Sequence, residues 1–155
     1  MKVTVSTFVR RNAHELFELS QDYQRRLEWD NYLVAAHLLG GHHRADVGVD
    51  SYCKSRLGQV MVSRYVSFKP PQVAAVSMVE GPWVLKEFSG SWRFTQSASQ
   101  GTLVAFTYHL RTRPRFLHRI MEPMLAVLYR QQMQSRLEAF KRWAEQLPEP
   151  VPVQS

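Results

Sequence analysis

The side chains of this sequence that could do chemistry are few and scattered. Tyr65, Tyr108, Asp50 and Arg64 supply two phenols, a carboxylate and a guanidinium, the kinds of group that acid–base chemistry requires. None has a partner at a spacing that marks a catalytic set. His37, His42 and His43 raise metal binding, because imidazole is the commonest metal ligand. Adjacent histidines on an extended backbone point to opposite sides, however, and no nearby acid completes a set; a solvated loop is expected, with no metal site. Cys53 is the single cysteine, so it closes no internal disulfide, and it reads as a small apolar strand residue. The acids between Asp22 and Asp30 flank Trp29 without a spacing that demands proton transfer, and they read as a solvated helix end. No catalytic residue is assigned, and no cofactor is implied.

The totals bound the elements that must position these groups. A chain of 155 residues is expected to form one domain with a real core, and 45% hydrophobic and 12% aromatic residues argue for a globular protein. No apolar run approaches the roughly 18 residues of a membrane span, and the first residues lack the apolar core of a signal peptide, which together lead us to expect a cytoplasmic protein. Lys and Arg number 20 against 13 acids, a net charge of +7, which favours an acidic partner: an anionic membrane surface, a carboxylate ligand or RNA. No aromatic–basic motif of a nucleic-acid module is present, so nucleic acid is not the expected partner.

The longest element is C-terminal. From Pro114 to Leu147, Leu117, Met121, Met124, Leu128, Met133, Leu137, Phe140 and Ala144 recur at helical steps on one face. Arg136, Lys141 and Arg142 suit the negative end of the helix dipole. Pro123 lacks the N–H donor and crowds the carbonyl of Arg119, which predicts a kink near 119–123 or a split there. Before this helix come a strand over Lys2 to Val9, a short helix over Ala13 to Leu19 capped by Asn12, and a second short helix within Asp22 to Asp30. Six strands then follow: Tyr32 to Leu39, Val47 to Arg56, Val60 to Phe68, Gln72 to Glu80, Val84 or Lys86 to Thr95, and Thr102 to Thr112. Turns at Gly40-Gly41, Gly58, Pro70-Pro71 and Gly81-Pro82, and a polar loop from Ser97 to Gly101, separate them, as in an antiparallel meander. Pro148 to Ser155, with three prolines, reads as a flexible tail after a domain spanning 1–147.

Period-two alternation assigns faces. Phe88, Gly90, Trp92 and Phe94 share one side of their strand, and Val104, Phe106, Tyr108 and Leu110 one side of the next. Both rows are expected on a concave face against Met124 and Leu128 of the helix. In the strand before Pro70 the apolar phase is Val60, Val62, Val66 and Phe68, which places Arg64 in the same phase, with a possible inward, ligand-facing role.

The order of elements resembles the helix-grip fold of the START-related superfamily that includes bacterial polyketide cyclase/dehydrase and lipid-transport proteins (SRPBCC). The resembling stretches are Ala13-His-Glu-Leu-Phe17, Asp22-Tyr-Gln-Arg-Arg-Leu-Glu-Trp-Asp30, Ser67-Phe-Lys-Pro-Pro71, Met78-Val-Glu-Gly-Pro82 and Gly90-Ser-Trp-Arg-Phe94. The resemblance implies an α+β fold, a curved antiparallel sheet of about seven strands wrapped around a long C-terminal helix. It also implies a cavity between the two for a hydrophobic ligand. Gly81-Pro82-Trp83 and Trp92-Arg-Phe94 are similar to the coenzyme-Q-binding group, although Asp22 to Asp30 lacks the Tyr-x-x-Phe-x-Pro run of that group.

The expected function is binding of a small apolar or amphipathic molecule, lipid-, polyketide- or quinone-like, by Arg64, Phe88, Gly90, Trp92, Phe94, Phe106, Tyr108, Met124 and Leu128. The cavity mouth is expected near residues 81–83 and the first turns of the helix. An enzyme of cyclase or dehydratase type is the alternative and would rely on Tyr65, Tyr108, Asp50 or Arg64. A third expectation is contact with an anionic membrane through Arg111, Arg113, Arg115 and Arg119, beside His118, where cations sit unfavourably at the start of a helix.

Overall fold

The computed structural model describes residues 1–97, 101–113 and 115–148. Seven strands form one sheet: β1 (Lys2–Val9), β2 (Leu33–Leu38), β3 (Asp50–Ser55), β4 (Val60–Lys69), β5 (Val73–Glu80), β6 (Leu85–Gln96) and β7 (Thr102–Thr112). The sheet is antiparallel in the order β1-β7-β6-β5-β4-β3-β2, a meander whose first strand joins its last. Two helices, α1 (Ala13–Ser20) and α2 (Arg26–Trp29), connect β1 to β2. The 29-residue α3 (His118–Gln146) closes the chain after a single 3-10 turn at Arg115–Leu117. This is the α+β helix-grip architecture. Of the expected tail only Pro148 is described, and most of the loop between Ser97 and Gly101 also lies outside the described residues.

Local chemistry explains the boundaries. Asn12 caps α1, its Oδ1 accepting from the Glu15 N–H at 2.9 Å. Gly58 turns β3 into β4 with φ at +86°, a conformation that favours glycine. Register shifts between β2 and β3, between β4 and β5 and between β6 and β7 bend the strands, which lets the sheet curl.

Pro123 lies inside α3, which continues through it; the split expected there does not form. The proline sits in the second helical turn, so its missing donor deprives only the carbonyl of Arg119, itself an exposed residue.

The concave rows of β6 and β7 fall as their alternation requires. Gly90 faces Tyr108 across the ladder, Trp92 faces Phe106 and Phe94 faces Val104, all six buried or nearly so. Val3 and Val5 of β1 extend the row. The phase of β4 is opposite to that expected. Ser63 and Tyr65 point inward, and a bulge between Tyr65 and Ser67 returns Phe68 to the core. Val60 and Val66 face solvent. One unpaired residue reverses side-chain parity, so a single phase could not describe both ends of this strand.

At the closed end, Phe17 packs edge-on against Phe68 and Phe94 with centroids 5.1 and 5.7 Å away. Trp92 stacks on Phe106 at 4.7 Å and meets Phe140 of α3 edge-on at 5.4 Å. Among the described residues no helix is long and apolar enough to cross a membrane.

Candidate functional site

Between the sheet and α3 lies a cavity of about 130 Å³. Its sheet wall is mostly apolar: Ala74 and Val76 from β5, Leu85, Phe88, Gly90 and Trp92 from β6, and Phe106 and Tyr108 from β7. Polar groups come from the other side: Gln21, Tyr23 and Arg26 from the α1–α2 region, Ser51 and Cys53 from β3, Ser63 and Tyr65 from β4. The helix contributes Tyr129, Gln132 and Arg136. The exposed Gln59 and Val60 line the cavity together with Pro82 and bring it to the surface there.

The helix therefore meets the cavity at 129–136 rather than at its first turns. Gly90 is a lining position where added size meets a neighbour. A Cβ built there would stand 3.3 Å from the Tyr108 ring, tighter than ordinary van der Waals contact.

The polar side is organised around Asp30, which is 2% exposed and receives four donors. Arg26 Nε donates to Oδ2 at 2.8 Å, across one turn of α2. Arg136 donates from Nε to Oδ1 at 3.1 Å and from Nη2 to Oδ2 at 2.9 Å. The Tyr32 N–H donates to Oδ1 at 3.1 Å. Arg136 Nη1 also donates to the Tyr108 hydroxyl at 2.7 Å, which ties α3 to β7 through the cavity wall. Burial opposes ionisation of Asp30, but Arg136 and then Arg26 outweigh it and hold the carboxyl well below the usual carboxylate range.

The remaining titratable groups on the wall shift the other way. Burial raises Tyr108 and Tyr23 above the ordinary phenol value, Tyr65 well above it, and Tyr129 to about 12. Burial likewise pushes the Cys53 thiol up, so it faces the cavity as a neutral thiol. The Tyr65 hydroxyl donates to Gln21 Oε1 at 2.6 Å and lies 3.2 Å from the Tyr23 hydroxyl.

Of the residues expected at the site, Phe88, Gly90, Trp92, Phe106 and Tyr108 line the cavity, whereas Phe94 is buried in the closed core beyond it. Three of the expected lining residues, Arg64, Met124 and Leu128, are corrected. Arg64 points out of the sheet, its side chain 53% exposed, with Nε and Nη2 donating to Asp50 Oδ1 and Oδ2 at 2.8 and 3.1 Å. The β4 bulge is the reason, and Asp50 is held at the surface with it. Met124 and Leu128 are 62% and 59% exposed, because the sheet does not cover that part of α3. His37 stacks on Tyr52 with centroids 4.8 Å apart, and His42 and His43 are exposed.

Sequence reasoning missed Arg26, Asp30 and Arg136. Asp30 is buried rather than a solvated helix end, and Arg136 faces the core rather than the helix dipole. A signal existed. Arg26 and Asp30 are four apart, and Arg136 falls among Met133, Leu137 and Phe140 on the helix's apolar face, where a lone guanidinium needs a partner.

A curled antiparallel sheet gripping one C-terminal helix over a lined cavity defines a START-like protein of the helix-grip class. The sequence profile of the polyketide cyclase/dehydrase and lipid transport family matches residues 1–145, and the chain belongs to that family. Among solved structures, a START superfamily protein from Mycobacterium smegmatis is similar with a TM-score of 0.80 at 12% identity, over 95% of this chain and 99% of its own. ZhuI aromatase/cyclase from Streptomyces sp. R1128 is similar with a TM-score of 0.79 at 17% identity, over 94% and 93%. A protein from Thermus thermophilus gives 0.77 at 11% identity, over 93% and 97%. At such identities the likeness is one of fold. A search of the curated proteins finds no match.

Proposed function

We propose that this protein binds a small hydrophobic or amphipathic molecule in the cavity between the sheet and α3. The observation that carries this is the cavity itself, apolar on the β6–β7 side and polar on the α2–β4 side. An apolar cavity of about 150 Å³ accepts a benzene-sized ring, so the space suits a ring or a short chain. Burying about 200 Å² of apolar ligand surface contributes on the order of 5 kcal/mol before entropic losses. Binding is favoured over catalysis because burial keeps the two inward phenols, Tyr65 and Tyr108, protonated, while Asp50 and Arg64 lie outside the cavity. A cyclase or dehydratase would have to work with Tyr65 or Tyr108 as proton donor. Native mass spectrometry of protein purified without detergent should show a co-purifying small molecule or uptake of an added apolar probe. A folded protein that takes up neither would sink the reading.

A second reading is favoured by the surface. Phe116, Ile120, Met124, Val127 and Leu128 are all exposed along the start of α3, beside the exposed Arg111, Arg113, Arg115 and Arg119. Apolar side chains interleaved with cations suit an anionic lipid surface. Sedimentation with phosphatidylserine vesicles should be salt-sensitive and weaker for Phe116→Ser; salt-independent binding, or none, argues against it.

A further inference from the structure

The cavity holds one more cation than its acid can neutralise. Arg26 is 7% exposed and forms part of the wall, yet only its Nε has a hydrogen-bonding partner, Asp30; its two terminal nitrogens have none among the described residues. Arg136, by contrast, uses all three nitrogens, two on the same carboxylate and one on Tyr108. Asp30 thus serves two guanidiniums. Asp30 lies behind them, and among the described residues no Asp or Glu lines the cavity itself. Cys53, Tyr23, Tyr65 and Tyr108 stay protonated through burial and supply no negative charge. The surface pair is different: Arg64 meets its own carboxylate one to one. The face of the Arg26 guanidinium lies over the Trp29 ring at 4.7 Å, but its terminal edge has no acceptor; such an edge beside an apolar wall is an arrangement that an anion completes.

We propose that the cavity is an anion site, taking a molecule with a ring-sized apolar body and a single carboxylate. The carboxylate accepts from the terminal nitrogens of Arg26, and the body packs on Phe88, Trp92 and Phe106. This rests on the cavity-binding reading above and names its ligand class. A carboxylate fits because the paired terminal N–H groups of a guanidinium match its two oxygens. One excess positive charge also matches a monoanion, whereas a phosphate dianion would leave negative charge with no further cation to meet it.

The test compares benzoate with toluene, a neutral ring of matching size that carries no acceptor, by calorimetry at neutral pH. A charge-assisted pair at a largely buried guanidinium should favour benzoate on the order of tenfold or more. Arg26→Met should abolish that preference while leaving toluene within about twofold, since toluene accepts no hydrogen bond and the apolar wall is unchanged. Arg64→Met should keep the preference. If both probes bind wild type equally, or Arg26→Met weakens both alike, the anion site is refuted while cavity binding stands. If the folded wild type binds neither, the cavity reading falls as well, and the anion site with it. Should Arg26→Met fail to fold, the wild-type comparison decides alone.

Discussion

The two halves of α3 carry the same kind of apolar periodicity and meet opposite fates. Met133, Leu137, Phe140 and Ala144 are fully buried, whereas Ile120, Met124, Val127 and Leu128 are each more than half exposed. The C-terminal half is tied down. The Arg10 N–H donates to Glu145 at 3.0 Å, and the Arg11 guanidinium reaches the carbonyls of Leu147 and Pro148. On its inner side it packs against Trp29 and Trp92 through Phe140. The N-terminal half has no such cover, and between the two, at 129–136, the helix borders the cavity. Periodicity therefore reports that a face is apolar, while the reach of the sheet decides whether that face is core or surface.

That contrast can be broken in order of expected size. The junction should be the most sensitive. Asp30→Ala leaves Arg26 and Arg136 buried without their acid, and should cost about 4 kcal/mol in urea unfolding, since breaking a buried ion pair is more damaging than omitting one. The pH dependence has a definite sign. Because the folded-state value of Asp30 lies below the unfolded one, its contribution is present above about pH 4 and is lost as pH falls below that towards the folded value. Wild type should therefore lose stability more steeply under acid than Asp30→Asn. Equal slopes would mean that Asp30 is not the group holding the cluster together.

In the closed half, Leu137→Ala should cost about 3 kcal/mol through the cavity it opens. Gly90→Ala is expected to cost about 1 kcal/mol, as the Tyr108 ring must move aside and its hydroxyl is held by Arg136. The same change narrows the cavity, so a fluorescent apolar probe should bind more weakly even though the fold persists. Unchanged probe affinity in a folded Gly90→Ala protein would detach the cavity from binding. In the open half, Leu128→Ala should change stability by less than about 0.5 kcal/mol, because an exposed side chain leaves no void. A loss comparable to that of Leu137→Ala would show that something covers that face in solution.

Much of the site was legible because alternation is a local property. Phe88, Gly90, Trp92, Phe106 and Tyr108 reach the cavity since nothing interrupts β6 or β7 where they stand. Arg64 failed because one bulge in β4 reverses parity, and no residue pattern in Val60–Lys69 marks its place. Met124 and Leu128 failed for a different reason: a helix stripe does not record how far a sheet extends along it. Asp30 and Arg136 are 106 residues apart, so their pairing could only come from docking α3 beside α2.

The sequence by itself determined the strands, their order along the chain, the three helices and the apolar faces of β6 and β7, because propensity, turn chemistry and period act within a few residues. Only the tertiary structure decided which cation faces inward. Placing Arg26 and Arg136 around one carboxylate depends on two helices with six strands between them in the chain, and the direction of Arg64 on a single bulged residue. Electrostatic partnership inside a core follows distance in space, which local pattern does not encode.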